Sequence, residues 1–117
     1  MTATLEVELV LDTLVKELGS GVYFILITSE NGAVIKSYIN QEFNKTSIAV
    51  NMSQLYELAE EITSEIGVHS PDFTVIHSDN FYVLSIKILN KIVIILMEDQ
   101  IDFSSIFEII NKCIITN

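Results

Sequence analysis

The runs YFILI (Tyr23–Ile27) and IVIILM (Ile92–Met97) are apolar at every position. Successive side chains of a strand point to opposite faces of its sheet, so strands of this composition must be covered above and below. Their surroundings supply the rest of such a sheet. GVYFILITS and AVIKSYI are β-rich and flank a polar break ending in Asn31-Gly32, a pair that accepts the positive φ of a tight turn. An antiparallel hairpin follows, with Gly21, Asn31 and Gly32 as its structural turn residues. Further on, DFTVIHSDNFYVLSIKILNKIVIILME breaks at SDN and LNK into three strands, Phe73–His77, Phe81–Ile88 and Ile92–Glu98.

Three segments have helical period. TLEVELVLDTLVKELG alternates at first, but Val7, Val10, Leu11, Leu14 and Leu18 recur at helical spacing and Gly19 stands where a C-terminal cap belongs. In SIAVNMSQLYELAEEITSEIG, residues Ile48, Met52, Leu55, Ala59, Ile62 and Ile66 are alternately four and three apart and share one helical face. Ser47 is the expected N-cap of this helix and Gly67 its stop. DFSSIFEIINKCIITN repeats apolar residues at Phe103, Ile106, Phe107, Ile110, Cys113 and Ile114, with Asp102 as cap, and closes the chain as a helix. The order is α-β-β-α-β-β-β-α. It predicts one α+β domain over residues 1–117, a three-layer sandwich whose five-stranded, mainly antiparallel sheet carries helices on both faces.

Charge excludes some partners. The formal net charge is -10, with six lysines (Lys16, Lys36, Lys45, Lys87, Lys91, Lys112) and no arginine. No basic stripe exists to neutralise phosphates, so nucleic acid is not an expected partner. No arginine finger can come from this chain. The apolar runs are too short to cross a bilayer, and MTATLEVELVLDTL carries Glu6, Glu8 and Asp12 instead of the basic start of a signal peptide, so a cytoplasmic protein is expected. The one cysteine, Cys113, reads as a reduced core residue.

No catalytic or cofactor constellation emerges. ITSENGAVIKS lacks the second glycine and following Lys-Ser/Thr of a phosphate-binding loop, and a strand follows it where such a loop needs a helix N-terminus. His69, Asp72, His77 and Asp79 match no usual metal-ligand spacing. Glu98, Asp99 and Asp102 suit a helix N-terminus, and Glu60, Glu61 and Glu65 read as a solvated helix face. Ser37, Ser53, Ser78 and Ser85 lack a nucleophile-elbow context. The expectation is a non-enzyme with no metal and no cofactor. A small-molecule sensor is the alternative, with Tyr23, Phe24, Tyr82 and Phe107 lining a pocket between layers; a structural adaptor in a larger complex is another.

The middle helix holds more apolar surface than one sheet face can take. Val50, Tyr56 and Leu58 lie off its stripe. A second covering surface is implied, and a symmetric homodimer is the reading favoured. Its expected interface is Ile48, Met52, Leu55, Ala59, Ile62 and Ile66 with Phe73 and Val75, the strand FTVIH pairing edge to edge with its copy.

In order and spacing, GVYFILITSENGAVIKS, then LYELAEEITSEIG, then IVIILME before a helix, the chain resembles the Roadblock family of dynein-light-chain-type and gliding-polarity-regulator-type domains. Gly21, Gly32 and Ser37 match structural positions of that pattern. Phe24 stands where the family often has a small residue, and its ring is expected to bear on the packing of the first helix. The resemblance implies dimers whose middle helices pack together and whose sheets join. It also implies a platform for Ras-like small GTPases, in some members accelerating GTP hydrolysis without an inserted arginine.

Overall fold

The computed structural model describes residues 2–116. In chain order they form β1 (Ala3–Leu5), α1 (Val7–Leu18), a 3-10 turn (Gly19–Gly21), β2 (Val22–Ser29), β3 (Val34–Ile39), α2 (Lys45–Ile66), β4 (Phe73–Ser78), β5 (Phe81–Ile88), β6 (Lys91–Glu98), α3 (Phe103–Lys112) and β7 (Ile114–Thr116). The five long strands make one antiparallel sheet in the order β3-β2-β6-β5-β4. The two wholly apolar runs are its central strands β2 and β6, paired from Val22↔Met97 to Ser29↔Lys91.

Alternation sorts the central side chains into two clusters. Ile25, Ile27, Val93, Ile95 and Met97 pack with Val10 and Leu14 of α1 and Ile106, Ile109 and Ile110 of α3. Phe24, Leu26, Ile92 and Ile94 pack with Ala49 and Met52 of α2. The expected three-layer α+β sandwich is therefore observed, with α1 and α3 on one face and α2 on the other.

Both ends of the chain depart from expectation. β1 and β7 pair antiparallel as a second, two-stranded sheet, Ala3↔Thr116 to Leu5↔Ile114. The early alternation in TLEVEL is thus strand, and α1 starts at Val7, not Thr4. Likewise α3 stops at Lys112, because the β-branched Ile114 and Ile115 find a ladder partner in β1. Helix α2 begins earlier than Ser47: Asn44 is its N-cap, the side chain accepting from the Ser47 backbone N–H at 3.1 Å. Gly67 ends α2 in the left-handed region and Asp102 caps α3 through the Ser104 N–H, as expected.

The β2–β3 connection shows why Gly32 is glycine. Its φ is 89°, and a Cβ there would stand 3.1 Å from the Ala49 carbonyl oxygen and 3.1 Å from Ser53 Cβ. The Ser53 hydroxyl donates to the Glu30 carbonyl at 2.9 Å. The hairpin tip is clamped beneath α2. Gly21 instead closes the 3-10 turn and lies against Ile101, whose Cδ1 is 2.9 Å from the place of a Cβ.

Candidate interaction surface

Helix α2 is the element with most to hide. Its mid-helix buried residues are Ala49, Met52, Ser53 and Tyr56, so the sheet-facing side lies roughly a quarter-turn around the helix from the stripe Ile48-Leu55-Ala59-Ile62-Ile66. Polar contacts set that rotation. Ser53 holds the hairpin tip, the Tyr56 hydroxyl donates to the Pro71 carbonyl, and Glu60 pairs with Lys87 of β5 at 3.6 Å. Tyr56 is therefore buried rather than surplus, and Glu60 belongs to the sheet side and not to a solvated face. Burial, with the carboxylates of Glu60 and Asp72 nearby, pushes the Tyr56 phenol up to about 12.

The stripe is divided by depth. Met52 sits inside the chain's own core; Ile48 and Leu55 are half-buried at its margin, as is Ala59. Further along, Ile62 is 51% and Ile66 69% exposed, joined by exposed Leu58. This leaves an apolar arc on the last three turns of α2, beside the arc already used against the sheet.

The sheet beneath is also incompletely used. Helix α2 lies over β3, β2 and β6, while Ile76 of β4, on the same side, is exposed. β4 is an edge strand, FTVIHS, with no lysine or proline to guard it. The opposite edge, β3, carries Lys36, which pairs with Glu8 of α1 at 3.1 Å. Phe73 and Val75 alternate to the α3 side of β4, so they do not join the α2 stripe on one surface. Phe73 packs against Phe107 and Phe103 of α3, ring centroids 5.2 and 6.4 Å apart.

The remaining polar candidates are dispersed. Glu98 accepts from the Tyr23 hydroxyl at 3.3 Å, Asp99 meets His77 Nε2 at 3.1 Å, and Asp102 caps α3, its carboxyl held low by the Ser104 hydroxyl and N–H. His69 is exposed beyond α2, and Asp79 sits in the β4–β5 turn at φ 54°. Among the described residues no group of three or more potential ligands converges. Nor do the four aromatic residues enclose one cavity. Tyr23 lies edge-on to Phe81, Phe24 lies against Phe43 beneath α2, and Tyr82 and Phe107 belong to the α3 side. The Phe24 ring thus bears on α2, not on the first helix. None of the described helices is long and apolar enough to cross a membrane.

No protein-family model matches the sequence, and no curated protein does. The backbone does have counterparts among solved structures. A Roadblock/LC7 domain from Streptomyces avermitilis superposes with a TM-score of 0.77 at 14% identity, over 89% of this chain and 88% of that one. MglB of Myxococcus xanthus gives 0.77 at 15% identity, over 89% and 85%. The gliding protein MglB of Thermus thermophilus gives 0.75 at 11%, over 92% and 81%. Sheet order, the placement of helices on its two faces and these superpositions together establish that the chain has the Roadblock/LC7 fold.

Proposed function

We propose that this chain is one Roadblock-like domain acting as a non-enzymatic, cytoplasmic homodimeric scaffold for a Ras-like small GTPase. The observation that carries the dimer is the second apolar arc of α2, Leu58, Ile62 and Ile66, beside the unguarded edge of β4. A two-fold axis near β4 would bring both features of one chain against the same features of its copy, burying the arc and pairing the edge. The GTPase comes from the sequence resemblance, with the Roadblock/LC7 fold in support. Having no arginine, the chain would influence hydrolysis only by ordering the GTPase's own switch loops and water-positioning residue.

The test is affinity capture from native cell extract with GDP and, in parallel, with a non-hydrolysable GTP analogue, the retained proteins being identified by mass. A Ras-like GTPase enriched in one nucleotide state is the expected result. A folded, dimeric bait that retains none in either state overturns the GTPase assignment.

A further inference from the structure

On the face opposite α2, a band of rings runs the length of β4. Phe107 meets Phe73, Phe73 meets Phe103, Phe103 meets Tyr82 at 4.8 Å, and Tyr82 meets His77 at 4.6 Å. Phe73 remains 41% and Val75 37% exposed. Phe103 at the Tyr82 end and Phe107 at the Phe73 end set α3 alongside β4, so the band is the wall and floor of a step descending from α3 to the sheet edge. An apolar hollow of about 310 Å³, bounded by Phe73, Ile86, Ile88, Phe107 and Ile110, opens at its Phe73 end.

The step has a definite width. Each strand takes up ~4.8 Å of the sheet's width, so five occupy ~24 Å, whereas two helices packed side by side, each ~10 Å wide, cover only ~20 Å. On this face α1 lies over β3 and β2 and α3 beside it, and the strand left uncovered is β4. In the dimer proposed above, on which this inference rests, two uncovered β4 strands lie together between two α3 helices. The resulting trough is ~10 Å wide, the diameter of one helix, and ~20 Å long, about 13 helical residues.

We propose that this trough binds a single amphipathic, basic helix of a partner protein, one per dimer. Its apolar stripe would lie on Phe73, Val75, Phe103 and Phe107, and its lysines or arginines would meet the rim. That rim is acidic: Asp72 precedes β4 and borders the hollow, and Asp99 stands at the His77 end. Lys87, the one cation bordering the hollow, is held by Glu60 on the other face. Because the trough lies on the two-fold axis, its occupant breaks the symmetry and the stoichiometry is one helix to two chains.

The probe is a synthetic 14-residue amphipathic helix of leucine and lysine, compared with a scrambled peptide of the same composition and a leucine/glutamate version. Sedimentation first establishes the mass of the free protein, and titration calorimetry then reads stoichiometry. One leucine/lysine helix per dimer is expected, with scrambled and acidic peptides at least ~10-fold weaker. Phe107→Ala should weaken binding ~10-fold. Asp72→Lys, at an exposed site just ahead of β4, should weaken it several-fold, on the order of what a lost rim charge pair removes. Val50→Ser on the outer side of α2 should change nothing. Equal binding of the scrambled peptide, two or more helices per dimer, indifference to Asp72→Lys, or no saturable binding to a dimer overturns the trough. A protein that sediments as a monomer refutes the dimer and the trough together.

Discussion

Gly32 is required twice over, by its φ of 89° and by the α2 backbone 3.1 Å from where a side chain would begin. An Asn-Gly pair announces the first requirement but not the second, because the helix that crowds it comes seventeen positions later at Ala49. Gly32→Ala is therefore expected to cost ~1–3 kcal/mol, read as a lowered urea midpoint at unchanged slope. A cost near zero would mean the tip is not clamped. Tyr56 makes a second residue-scale prediction. Its folded-state value of about 12 exceeds the usual 10.0 of an unfolded tyrosine, so the neutral phenol is favoured by folding. The associated stability is fully present below pH 10 and is lost as pH rises toward 12. Tyr56→Phe cannot ionise and also forgoes the bond to the Pro71 carbonyl, so its stability should fall less steeply across that window than the parent's. Parallel slopes in urea unfolding at stepped pH would remove Tyr56 as the source.

At the scale of elements, α2 is where periodicity and tertiary structure disagree most usefully. Spacing by threes and fours finds apolar residues, and it does locate a real face. It cannot weigh Ser53, Tyr56 and Glu60, whose polar contacts with Glu30, Pro71 and Lys87 turn a neighbouring arc toward the sheet. Two substitutions on the stripe should consequently behave differently. Leu55→Glu places a charge at the margin of the Phe24–Leu26 cluster and should destabilise the fold by ~2–4 kcal/mol. Ile62→Glu, on an exposed turn, should leave the fold intact and weaken self-association at least ~10-fold, about 1.4 kcal/mol. Sedimentation velocity beside urea unfolding separates the two, and an Ile62→Glu protein with unchanged dimer mass would remove this arc from the interface. The N-terminus of α2 teaches the same lesson on a smaller scale. Both Asn44 and Ser47 have capping side chains, and the helix begins at the one whose carbonyl oxygen reaches a backbone N–H three residues on.

At the scale of the whole molecule, the proposed dimer links association to folding, because only folded chains associate. Stability should then rise with protein concentration by about 1.4 kcal/mol per tenfold. Two chains of net charge -10 repel, so added salt should tighten association by screening. A urea midpoint independent of concentration, with association insensitive to salt, would count against the dimer. What composition and alternation alone determined is the architecture: two wholly apolar runs demand central strands, central strands demand helices on both faces, and short polar breaks allow only antiparallel neighbours. Those are local or nearly local constraints, and one chain states them in full. Three features depended on residues far apart meeting in space: the β1–β7 ladder that ties Ala3 to Thr116, the rotation of α2, and the separation of Phe73 and Val75 from the α2 stripe. Each balances packing and hydrogen bonds between distant segments, and such a balance has no period for a linear pattern to carry.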